Sequence, residues 1–208
     1  MSDVLTFAAA LLVAGPVIGT VCLFSPSFWR VWTVPREEHL ALVAAHRLAW
    51  TMANVGFTAA TVLTAAGLVV LAGSLGVDDG PTAMLLAGSI AYAIAGTLWC
   101  AGQAIRTRLT PAIATMVATG TPTEPAETLL GAVTGGLYSA FMLMTGLALV
   151  AIGLTLVLGG GIAAPAAWAV TILAAGALAG FFALDGFLPA AIYAPTLLIG
   201  LALLLGWR

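Results

Sequence analysis

The sequence predicts an all-α fold, a polytopic integral membrane bundle of about six transmembrane helices in a single domain over residues 1–208. Three observations carry this. The stretch Thr128–Leu184 holds no charged side chain, and neither do Leu48–Val77, Gly80–Ile105 and Phe187–Trp207. A bilayer's hydrocarbon is about 30 Å thick and a helix rises 1.5 Å per residue, so about 20 apolar residues cross it. The chain is also 62% hydrophobic and only 7% charged, against about 25% charged in soluble domains. Finally, the runs are broken where turn-forming residues fall, at Gly159-Gly160-Gly161 and at Asp185-Gly186 followed by Pro189.

Six spans follow in order: Val4–Phe24, Pro35–Ala72, Pro81–Ile105, Pro122–Leu158, Ala163–Leu184 and Leu188–Trp207. Met1-Ser2-Asp3 lacks the basic start of a signal peptide, so the first span is expected to be retained. Pro35, Pro81 and Pro122 fit first-turn positions. Thr121-Pro122-Thr123-Glu124 fits a capping box. Glu37 and Glu38 fall where the helix dipole favours carboxylates. The short fourth and fifth linkers predict antiparallel hairpins. The longer polar segment Thr107–Thr121 reads as a plain connector.

All six basic residues are arginines, and the net charge is −2. The missing lysine excludes a retinal Schiff base. The absence of a basic patch argues against a nucleic-acid partner. Arg30, Arg36, Arg106 and Arg108 lie in loops one and three, whereas loop two carries Asp78 and Asp79. Basic loops stay in the cytoplasm, which predicts a multi-pass cell-membrane protein with loops one and three cytoplasmic. Phe28, Trp29 and Trp32 read as an interfacial aromatic anchor.

Small residues four apart, at Gly15/Gly19, Gly131/Gly135, Gly136/Ala140 and Gly176/Gly180, permit close backbone approach. They are expected at contacts inside the bundle, with a homo-oligomer interface as the alternative. Cys22 and Cys100 read as small buried hydrophobes.

Polar residues form lines at helical spacing. Arg47, Thr51, Asn54, Thr58 and Thr61 share one face of the second span. Ser89, Tyr92, Gly96, Cys100 and Gln103 share one face of the third. Thr134, Tyr138 and Thr145 share one of the fourth. Polar groups facing lipid are costly, so these lines are expected to point inward. Two readings stay open. The lines are either interhelical packing, with hydroxyls bonded to the preceding turn, or the wall of a polar cavity in which Arg47, His46, Thr51, Asn54, Tyr92 and Gln103 bind substrate. Arg47 either reaches the interface along its stem or needs an acid within the membrane. The candidate acids are Asp185, Glu38 and Glu37. A carboxyl in apolar surroundings acts as a proton donor because burial disfavours its charged form. His39 and His46 stand two turns apart on one side of one helix and cannot ligate a haem from both faces. No metal or cofactor motif is present, and none is expected.

From Tyr138 to Arg208 the pattern is a long helix ending at Gly159-Gly160-Gly161, a hairpin, and a proline-containing last span closing on Leu-Leu-Leu-Gly-Trp-Arg. It resembles uncharacterised multi-span bacterial membrane proteins of the DUF4386 type. The placing of Glu37 or Glu38 near an early helix start and of Asp185 near the last hairpin is similar to that in small integral-membrane terpene cyclases. That resemblance implies acid/base chemistry on an isoprenoid-like substrate. Three functions therefore stand at this level: an intramembrane enzyme acting on a lipophilic small molecule, an accessory subunit of a larger membrane complex, and a small transporter. In all three the bilayer is the first partner.

Overall fold

The computed structural model describes residues 3–75, 80–184 and 189–207. The described residues form helices α1 (Asp3–Leu23), α2 (Pro26–Thr33), α3 (Arg36–Ala45), α4 (Arg47–Ser74), α5 (Gly80–Ala118), α6 (Glu124–Gly159), α7 (Ala164–Ala183) and α8 (Tyr193–Leu204), with a 3₁₀ turn at Pro189–Ile192 before the last. There is no strand among them. Five of these helices (α1, α4, α5, α6 and α7) are long and apolar enough to cross a membrane, as an integral membrane bundle requires. Large apolar side chains face outward on several helices, among them Val21, Leu48, Leu158, Ile172 and Phe182. In water such a surface would aggregate, and in lipid it is the solvated face.

The sixth expected span differs. Its 3₁₀ turn leads into a helix of 12 residues, about 18 Å long by itself. The second expected span is broken at His46, whose backbone (φ −123, ψ 39) interrupts the helix. α3 thereby turns aside and packs on α5. The third runs on to Ala118, so the polar connector is largely helical, and α5 reaches about 58 Å, well beyond the hydrocarbon. α6 begins at Glu124 with Thr123 as its cap and a proline in its first turn, two residues later than expected, and Gly160 ends it in the left-handed conformation (φ 67).

The helices close a ring in the order α1, α4, α5, α6, α7, α8 and back to α1. Glycines set how tightly the ring closes. A Cβ at Gly15 would strike the Thr64 hydroxyl and come 2.7 Å from the Ala60 carbonyl, so α1 lies directly on α4. A Cβ at Gly200 of α8 would come 3.0 Å from the α1 backbone at Leu12, and one at Gly153 of α6 would come 2.9 Å from the Thr171 backbone nitrogen on α7. Without water to squeeze out between them, membrane helices associate through such close dispersion contact. Gly19 leaves room for the Tyr193 ring, which reaches from the start of α8 toward Thr61 on α4. The ring's middle is therefore filled by side chains.

Two expectations about small residues and aromatics change. Gly131, Gly135 and Gly136 on α6 and Gly176 on α7 meet nothing within 4 Å where a Cβ would stand, so these positions are not contacts within the chain. Phe28 is no interfacial anchor. It is 3% exposed and packs on Trp50 at 5.4 Å and Phe57 at 5.2 Å. The pairs Gly15/Gly19 and Gly135/Gly136 thus make a sharp contrast. Replacing Gly15 by leucine should destabilise the bundle by about 1–3 kcal/mol through overpacking. Replacing Gly135 by alanine should be neutral or stabilising by up to about 1 kcal/mol, because glycine is the poorer helix former. Reversible unfolding of the two variants in mixed micelles measures both.

Candidate functional site

The α4–α5 seam is antiparallel, and its register can be read rung by rung. At the α3 end, the Trp50 Nε1–H donates to the Arg106 carbonyl at 3.3 Å, and the Arg106 guanidinium lies 5.9 Å from the Trp50 ring centroid. Further in, Phe57 meets Trp99 edge-on at 6.2 Å, and Gly96 lies against Thr61. Deeper still, the Ser89 hydroxyl donates to the Leu68 carbonyl at 3.2 Å. On the other side of α5, Trp99 stacks on Phe141 of α6 at 4.9 Å and tilts against Tyr138 at 6.1 Å. Tyr138 meets Phe181 of α7. A belt of aromatic rings thus crosses four helices about two turns inside the α3 end.

Outside that belt lies a cleft of about 150 Å³ between α3, α4, α5 and α6. Its chemically distinctive walls are His39, Trp50, Arg106, Thr110, Glu127 and Thr134. His39 stands edge-on to Trp50 at 6.0 Å. Glu127 sits in the first turn of α6, where the helix dipole favours its charge, and accepts a hydrogen bond from the Thr123 hydroxyl. A cation, a carboxylate and an imidazole therefore share one partly enclosed space at the end of an apolar bundle. A second cleft of about 120 Å³, at the opposite end between Pro81 and Gly161, is lined by no charged side chain among the described residues. It offers hydroxyls at Thr82 and Thr155 but no acid or base.

Each sequence-derived candidate can now be placed. Asn54 and Gln103 are buried, 1% and 2% exposed. The register sets them at the same level of the α4–α5 seam, Asn54 one turn in from Trp50 and Gln103 one turn in from Arg106. Tyr92 is buried completely, close to Thr64 and Tyr193 in the middle of the ring. Thr51 is half-buried, while His46, Arg47 and Glu38 are exposed. The break at His46 leaves Arg47 as the first residue of α4, at the bundle's end. Glu37 is in the first turn of α3, its side chain outside the described residues, and Asp185 lies outside them altogether. The lines on α4 and α5 do face inward along their length, with only the Arg47 end reaching the surface.

Most hydroxyls of these lines are bonded within their own helix. Thr58 donates to Asn54 O at 3.1 Å, Thr61 to Phe57 O at 3.0 Å, Thr64 to Ala60 O at 2.8 Å and Thr134 to Leu130 O at 2.7 Å. For these the packing reading holds. It does not cover Asn54 Oδ1, Gln103 Oε1, Trp99 Nε1, Tyr92 OH and Thr145 Oγ1, which are buried with no hydrogen-bond partner among the described residues.

The cleft's charged members were within reach of the sequence. Arg106 continues the Ser89–Gln103 line by one step of three, and Glu127 stands two turns before Thr134. Both fall beyond the uncharged runs, so a reading that stops each face at the hydrocarbon boundary loses them. The geometry gives a direct test. Trp50→Phe keeps a ring against Phe28 but removes the indole N–H and weakens the cation–π contact. It should cost about 1–2 kcal/mol in unfolding experiments and loosen the α5 end, seen as faster amide exchange around Arg106. No protein-family model, curated protein or solved structure matches this chain.

Proposed function

We propose that this multi-pass membrane protein binds the polar head of a lipophilic small molecule in the cleft between α3, α4, α5 and α6 and exchanges a proton with it. The carrying observation is that Arg106, Glu127 and His39 line one cleft at the end of a bundle whose outer surface is apolar. An amphiphile fits such a place. Its head meets charge and hydrogen-bonding groups while its tail lies along the lipid-facing helices. Arg106 supplies a planar donor fork for an anionic or strongly electronegative head. Glu127 and His39 are the acid/base groups. The arginine-bearing loops put the α3 end in the cytoplasm, so the head would be reached from the inner leaflet. An isoprenoid-like tail accords with the acid-placement resemblance to membrane terpene cyclases. Of the acids on which that resemblance rests, Glu38 is exposed, and the Glu37 side chain and Asp185 lie outside the described residues.

Lipid extracts of the purified full-length protein, analysed by mass spectrometry, test the binding step. Wild type should retain an amphiphile with an anionic head, and Arg106→Gln should retain at least tenfold less, the loss of one charge-assisted hydrogen-bond partner. An unchanged lipid complement in Arg106→Gln would overturn the reading. Glu127→Gln should keep the bound molecule and stop its conversion, whereas Glu38→Gln and Asp185→Asn should leave conversion in place. Activity that disappears in the latter pair and survives in Glu127→Gln would move the chemistry to the acids first suggested by the sequence.

A specific observation favours a second reading, an accessory subunit of a larger membrane complex. The Gly131–Gly136 stretch of α6 is open, and small residues on an exposed membrane helix suit a partner helix. Gly135→Leu should then abolish co-purification with that partner while leaving the amphiphile bound.

A further inference from the structure

Asn54 and Gln103 present a second problem inside the same seam. The Asn54 Nδ2 group donates to Trp50 O at 2.7 Å, which fixes the amide's orientation and leaves Oδ1 as its free atom. At the same level Gln103 Oε1 is also buried and without a partner. Two carbonyl oxygens thus sit at one level between two helices, in surroundings where an unmet acceptor loses its water and gains nothing.

We infer that Asn54 and Gln103 form a buried binding site for the hydroxyl group of a neutral, long-chain alcohol-type lipid. Each property of that ligand follows from the site. Two acceptors call for a donor and repel a carboxylate or phosphate. A cation would pay its desolvation with no described carboxylate at that level, and it would face the Arg106 guanidinium one turn away. What remains is an uncharged donor, and a hydroxyl is small enough to lie between two amides. The way in is also present. The stretch of α6 opposite Gln103 is Gly135-Gly136, open where side chains would stand, and a Cβ at Gly102 would meet only Leu137, at 3.8 Å. The α5–α6 contact is thus thin beside Gln103, which leaves a lipid chain an approach to the seam from the bilayer side.

The site goes beyond the cleft reading and does not need it, because the ligand is neutral and Arg106 does not touch it. The full-length protein in lipid nanodiscs tests it with 1-dodecanol and its methyl ether, which differ in the donor alone, each at equal mole fraction in the bilayer. The alcohol should raise Tm by several degrees, and its apparent affinity should exceed the ether's about tenfold. Asn54→Leu and Gln103→Met should each erase that preference while remaining folded, since removing an unmet buried acceptor relieves a cost. Arg106→Gln, which releases an anionic amphiphile under the cleft reading, should leave the preference intact. Equal shifts with the two compounds, or none with either, would overturn the inference in the wild-type protein alone and show that the oxygens are met by water. A preference that persists in both variants would place the hydroxyl elsewhere.

Discussion

Trp50 against Arg106, Phe57 against Trp99, Thr61 against Gly96 and Ser89 against Leu68 hold α4 and α5 in one antiparallel register. Sliding either helix by a turn would break every one of these contacts together. It would also set Asn54 and Gln103 at different levels and part Ser89 from the Leu68 carbonyl, where no water replaces the lost partner. The other helices are placed relative to this pair. α1 closes on α4 through Gly15, α6 closes on α5 through the Trp99–Phe141 stack, and α3 leans on α5 because the chain breaks at His46. The cleft is a consequence. α5 outruns the membrane at its Ala118 end, and the space between its extension, α3 and the first turns of α6 is left for polar side chains.

A division of labour follows among the polar groups. Threonine hydroxyls bonded to the preceding turn let helices pack closely at little cost, and they ask nothing of a ligand. The side-chain amide oxygens, the Trp99 indole, the Tyr92 hydroxyl and Thr145 are different, because their own helices do not satisfy them. An unmet buried group costs about 1–3 kcal/mol. The uneven distribution of unmet groups, concentrated between the α3 end and the middle of the ring, sets the α3-end half apart from the well-satisfied remainder. The aromatic belt formed by Phe28, Trp50, Phe57, Trp99, Phe141 and Tyr138 runs through this half. Ring packing, with the one Trp50–Arg106 hydrogen bond at its end, holds this half together.

Much of this was legible beforehand, and the reasons differ by element. Uncharged length alone settles a helical membrane fold, because only a helix or a closed barrel satisfies its backbone in lipid, and the runs were too long for strands. The inward direction of the Asn54–Thr61 and Ser89–Gln103 lines followed from their spacing. Spacing could not show that the Arg47 end of the first line reaches the surface. That depends on the helix break at His46, which has no proline or glycine to announce it. Nor could spacing distinguish Gly15, pressed against α4, from Gly135, open to the outside, since the same four-residue repeat serves either side of a helix.

The amino-acid sequence by itself determined the solvent, the fold class, the helical faces that must be buried and the inventory of acids and bases. Those are local or summed properties: hydropathy, period and composition. Tertiary structure alone decided which members of that inventory meet. Arg106, Glu127 and His39 come from three helices and share a cleft only because α5 is longer than the hydrocarbon and α3 folds back upon it. Asn54 and Gln103, far apart in the chain, share a level only because one seam register satisfies all the contacts along it together.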